Sequence, residues 1–164
     1  MTDGQVYVGA AALGVVAGLR SMAAPAIMTK VASCGDEDES RLGFLGNPIA
    51  GHTLTVLAAA EQIADKLPFI PNRTTTGPLI VRAISGALSG AALCTIKKRP
   101  IVPGVLFGAL GAIGATFAAF ELRKRAGEKL HVPDKVLALI EDAVTAGCST
   151  LLVDQLREEH RAIA

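Results

Sequence analysis

Six ionisable residues of this sequence stand within or beside long apolar runs: Arg20, Glu61, Asp65, Arg82, Glu141 and Asp142. Charges at such depth are costly and face a cavity or a partner, so two guanidiniums and four carboxylates are expected to form a buried network. Glu61 and Asp65, four residues apart, share one helical face. Glu141 and Asp142 are adjacent and point about 100° apart around a helix, so one of them suffices to face the centre. Carboxylates of this kind carry protons or coordinate a cation, while Arg20 can hold an anion or serve as their counter-ion. Arg20 is expected to pair with at least one of Glu61, Asp65 and Glu141, because an unpaired charge there is expensive. A substrate or ion pathway is the preferred reading. The competing one is a set of paired charges that only lock the helices in register.

A second polar stretch, Pro71-Asn72-Arg73-Thr74-Thr75-Thr76-Gly77-Pro78, puts one cation and the hydroxyls of Thr74, Thr75 and Thr76 where a helix begins. Helix starts attract anions, so Arg73 and these threonines form a candidate anion-binding loop, with a plain capped boundary loop as the commoner use. The GK[ST] ending of a nucleotide-binding P-loop is missing. The acidic run Gly35-Asp36-Glu37-Asp38-Glu39-Ser40 fits no EF-hand spacing and reads as a solvated linker. His52, His131 and His160 are isolated, and neither HExxH nor GxSxG occurs. Cys34, Cys94 and Cys148 are scattered and odd in number, which suits packing thiols rather than a disulfide framework or a metal site. No enzyme, cofactor or metal is called for.

Five apolar segments must position the charges. Of 164 residues 51% are hydrophobic and 19% charged, with a mean hydropathy of +0.45, too little charge to cover a soluble globule. This points to an all-α, polytopic transmembrane bundle forming one domain over residues 1–164. A net charge of +1 leaves no footprint for nucleic acid. The start, MTDGQVY, lacks the basic region of a secretory signal, so the first apolar run is expected to be retained. That run, from Val6 to Thr29, is interrupted by Arg20 and Pro25. The second, Ile49 to Ala64, is short for a crossing and suits a re-entrant or tilted path. The third, Pro78 to Ile96, carries Arg82; the fourth, Ile101 to Phe120, has no charge; the fifth, Pro133 to Gln155, carries Glu141 and Asp142. Four to five spans follow.

Glycines recur at a spacing of four: Gly14 and Gly18, Gly86 and Gly90, Gly104 and Gly108, followed by Gly111 and Gly114. Each pair is a face on which two helix backbones can approach closely, within one chain or between copies, so a homo-oligomer through glycine-rich faces is expected. Val56-Leu57-Ala58-Ala59-Ala60-Glu61 resembles Val136-Leu137-Ala138-Leu139-Ile140-Glu141, and the first and fourth segments resemble each other. With five spans this gives a weak inverted internal repeat with halves 1–97 and 98–164. Lysines and arginines then tie at seven on each side. If the second segment does not cross, they divide nine to five and place the linker inside.

Gly18-Leu19-Arg20-Ser21-Met22 with Pro25-Ala26, then Ala64-Asp65-Lys66-Leu67-Pro68 with Pro71, Arg73 and Thr74, then Arg82 with Ser85-Gly86-Ala87-Leu88 and Gly90-Ala91, then Glu141-Asp142, follow one another in order. This series resembles the small bacterial integral membrane proteins grouped as domain-of-unknown-function 4126, and it covers nearly the whole chain except the acidic linker. The resemblance implies a helical protein of the bacterial inner membrane and supplies no substrate or mechanism. The functional expectation therefore rests on the charges. It is a small transporter or channel-like protein that moves an ion or small solute across the lipid bilayer, or else a non-transporting scaffold.

Overall fold

Apolar residues with helix-compatible spacing run from the first turn, where the Thr2 backbone N–H donates to the Gln5 side-chain oxygen at 2.8 Å and Asp3 sits at the positive end of the helix dipole. The computed structural model describes residues 2–32, 49, 52–57, 76–130 and 134–161. Its long elements are α1 (Asp3–Leu19), α2 (Ala23–Ala32), α3 (Thr76–Ile96), α4 (Ile101–Leu130) and α5 (Asp134–Arg161). Among the described residues there is no strand, and the all-α expectation holds. Most of the second segment, with Glu61 and Asp65, lies outside the described residues, as do the acidic linker and Arg73, Thr74 and Thr75.

The first segment is two helices. Arg20 adopts an extended conformation (φ −141°, ψ 114°), its N–H still bonded to the Val16 carbonyl at 2.8 Å, and Ser21 and Met22 turn before α2 begins at Ala23. Pro25 in the first turn of α2 has no N–H to donate, and its ring restricts what precedes it, so a continuous helix through Arg20 is disfavoured. Between α3 and α4 the break is tighter. Arg99 N–H bonds the Cys94 carbonyl at 2.8 Å, Lys98 N–H bonds that of Thr95 at 3.1 Å, and Lys98 takes a left-handed conformation (φ 53°). This is a Schellman ending with lysine where glycine is commoner, and Pro100 follows it. Arg99 also meets Asp3 at 2.6 Å, tying the start of α1 to this turn.

Glycines fix how the helices pair. A side-chain carbon added at Gly86 would meet the Gly108 backbone, and one at Gly90 the Gly104 backbone, so α3 and α4 cross antiparallel with their backbones in contact. Gly14 and Gly18 approach Gly108 and Ala112 in turn, so α1 and α4 run parallel. Gly9 lies against Leu93 and Gly90 near Ala10, which makes α1 and α3 antiparallel. The glycine faces named from sequence are thus occupied within one chain; Gly114 alone among them meets nothing within 4 Å.

Two expectations are corrected by these directions. An inverted repeat relating the first and fourth segments requires α1 and α4 to oppose each other, and they are parallel. Five successive crossings would set α1 and α3 in the same direction, and they are antiparallel.

Two helices, Thr76–Ile96 and the Ile101–Ala126 part of α4, are long and apolar enough to cross a membrane. Ile80, Val81, Ile84 and Leu88 point outward from α3, and Val102, Leu106, Leu110 and Phe117 from α4. The buried face of α3 carries Arg82, Ser85, Ser89, Gly86 and Gly90 beside the core residues Ala92, Leu93, Cys94 and Ile96. Helices α1, α3 and α4 form the closely packed trio, while α2 lies against α3 and α5.

Candidate functional site

The break at Arg20 leaves carbonyls at the end of α1 that no longer serve a helix, and these must find donors when buried. Side chains from two other helices supply them. Thr116 of α4 donates its hydroxyl to the Gly18 carbonyl at 3.1 Å and to its own-helix Ala112 carbonyl at 2.8 Å. Ser85 of α3 donates to the Ser21 carbonyl. Helix α2 restarts with Ala23 N–H on the Arg20 carbonyl and Ala26 N–H on that of Met22, each at 3.2 Å.

Arg20 itself is only 3% exposed, and its guanidinium donates to the carboxylate of Asp142 on α5. Arg82 of α3, 4% exposed, stands one turn from Ser85. Because Ser85 faces Ser21 in an antiparallel pair, Arg82 lies within about one helical turn of Arg20 in depth. Thr145, one turn after Asp142, is also buried. The result is a polar layer of Arg20, Ser21, Arg82, Ser85, Thr116, Asp142 and Thr145 in a largely apolar bundle, with Thr29 and Ser89 buried as well. Helix α4 continues for 14 residues beyond Thr116 to Leu130, about 21 Å at 1.5 Å per residue. Asp142 lies eight residues after the start of α5 at Asp134, so α5 turns back to bring it to Arg20.

Of the candidate residues, Arg20 and Asp142 are paired, and Arg82 is buried at a similar depth on α3. Glu141 lies on α5 next to Asp142 with its side chain outside the described residues, as Glu61 and Asp65 are entirely. Thr76 begins α3 and is exposed. The hydroxyls of Ser85, Thr116 and Thr145 were not singled out from sequence. A signal for two of them exists: Leu79-Ile80-Val81-Arg82-Ala83-Ile84-Ser85 and Leu139-Ile140-Glu141-Asp142-Ala143-Val144-Thr145 match along α3 and α5, and Ser89 and Ser149 extend the match one turn on. Ser89 donates to the Ser85 carbonyl at 2.9 Å and Ser149 to the Thr145 carbonyl at 2.7 Å, so both copies end alike.

No curated protein and no solved structure matches the chain. A family model described as Domain of unknown function (DUF4126) matches residues 8–155, which include every residue of the polar layer. The broken first helix, the glycine crossings and the charged layer all fall inside that match, and the chain is a member of this family.

Proposed function

We propose that this chain is a small integral membrane transporter or channel-like protein whose pathway for an ion or small solute runs through the layer of Arg20, Arg82 and Asp142, with Glu61, Asp65 and Glu141 as further lining groups. The carrying observation is the helix broken at a buried arginine that pairs with a carboxylate on another helix. Interrupted backbone at membrane depth persists where it is buried in protein or lines a cavity, and broken helices of this kind form the solute sites of many transporters. The apolar outward faces of α3 and α4 support contact with lipid.

Four crossings suit the helix directions, with α1 and α2 together, α3, α4 and α5 as the spans and the second segment not crossing. Lys30, Arg41, Lys66, Arg73, Arg123, Lys124, Arg125, Lys129 and Lys135 then share one side, nine against the five of Lys97, Lys98, Arg99, Arg157 and Arg161. The nine mark the cytoplasmic side of a bacterial inner membrane. Since the glycine faces are used within the chain, a homo-oligomer would form through other surfaces.

The scaffold reading draws on a specific observation too: Arg20 is paired, and the Gly18 and Ser21 carbonyls are capped. Flux from reconstituted vesicles separates the two. We expect the unmodified protein to move an ion or small solute, and Glu61→Gln, Glu141→Gln and Asp142→Asn to reduce the flux toward that of empty vesicles with the helical content retained. Loss of stability on neutralisation, with no flux from the unmodified protein over a broad panel, would establish the scaffold instead.

A further inference from the structure

Helix α5 is held differently from the other long helices. On α3 nine of 21 residues are buried. Among the described side chains of α5 only Thr145 is buried, while Asp142, Ser149, Leu152 and Val153 are half-buried and the remainder exposed. Glycine crossings lock α1, α3 and α4 together, but the glycine of α5, Gly147, meets nothing within 4 Å. Lipid tails are as apolar as leucine, so a helix in the bilayer gains no hydrophobic drive to join a bundle and depends on close packing and polar contacts. Among its described side chains α5 has little of the first apart from its packing against α2, and its strongest described polar contact is Asp142 with Arg20.

We propose that the Arg20–Asp142 ion pair is a latch that fastens α5, which otherwise packs mainly against α2, to a rigid trio of α1, α3 and α4, and that its release opens the polar layer along the Thr145 and Ser149 face. The same residues explain why opening would occur there. The hydroxyls of Thr145 and Ser149 lie on the α5 face that includes Asp142, one and two turns along, so separation of α5 exposes a line of oxygen ligands ending at the helix break. Arg20 belongs to the trio through the carbonyl caps on either side of it and stays behind. The latch deepens the transport reading by naming its moving part, yet it can be tested without any flux.

Paired spin labels in lipid vesicles read the distance between helices directly. In full-length chain with Cys34→Ser and Cys94→Ala, native Cys148 on α5 is labelled together with Leu88→Cys on the outer face of α3; both sites are exposed. A control pair, Leu88→Cys with Leu110→Cys in a Cys148→Ser background, reports α3 against α4. With Asp142 present, the α3–α5 distribution should be single and narrow. Asp142→Asn should broaden it and add a longer component several ångström out, with the control unchanged, and the exchange Arg20→Asp with Asp142→Arg should restore the narrow form. An unchanged α3–α5 distance in Asp142→Asn would overturn the latch. So would broadening of both pairs, since the ion pair would then hold the whole bundle. A latch that opens in vesicles that never show flux would leave the latch standing and remove the transport reading.

Discussion

Along α3 the run Leu79, Ile80, Arg82, Ala83, Ile84, Ser85 and Ser89 has its counterpart in Leu139, Ile140, Asp142, Ala143, Val144, Thr145 and Ser149 of α5, yet the two helices are packed differently. Ser85 and Thr145 are both buried, and Ile80, Ile84, Ile140 and Val144 are all exposed. One turn on the copies part, with Ser89 only 1% exposed and Ser149 half-buried. Neighbouring small residues account for the difference. Gly86 and Gly90 of α3 let the backbone of α4 come into contact, whereas the corresponding Ala146 and Thr150 of α5 are exposed and meet no such partner. A charged and hydroxyl-bearing face is therefore a sealed structural seam or an accessible lining according to the residue beside it. Close backbone approach decides which helices seal.

The sharpest way to break this comparison is to insert the same side chain at matched positions. Gly86→Leu drives a side chain into the Gly108 backbone and Ala112, which cannot yield as a flexible side chain does, and should cost about 3 kcal/mol or more in reversible unfolding from detergent. Ala146→Leu, on the exposed side of α5, should stay within about 0.5 kcal/mol of the parent. Equal effects would mean that the two settings do not differ. A smaller effect is expected at the break. Ser85→Ala leaves the buried Ser21 carbonyl without its donor and should lower stability by roughly 1–3 kcal/mol. Smallest is Ser89→Ala, which removes only a bond back to the same helix and should cost under about 0.5 kcal/mol, since such bonds add little to a helix.

The glycine faces were legible in the sequence because a spacing of four is local information: Gly86 and Gly90, or Gly104 and Gly108, announce a close contact wherever their helices lie. Arg20 as an interior residue was legible for the same reason, since its cost in an apolar run does not depend on the fold. That Asp142 is among its partners was not. Asp142 reaches Arg20 through the rotation of α5, a property of packing that the sequence does not carry. The caps Ser85 and Thr116 were hidden likewise, because a hydroxyl becomes a cap only once the broken helix end lies beside it. Helix direction escaped a count of apolar segments, because such a count does not say which segments cross. The ordered contacts of Gly14 and Gly18 with Gly108 and Ala112 restored that information.

Whether water reaches the charged layer from the α5 side is best measured by thiol reactivity in sealed vesicles. Cysteines are placed singly at Thr145 and Ser149 of α5 and at Ser89 of α3, in a chain with Cys34→Ser, Cys94→Ala and Cys148→Ser, and exposed to a small charged thiol reagent. We predict that Thr145→Cys and Ser149→Cys react slowly with Asp142 present and rapidly in the Asp142→Asn background, and that Ser89→Cys reacts in neither. Silence at all three positions in both backgrounds would show a dry, fully sealed layer and contradict a pathway through Arg20 and Asp142.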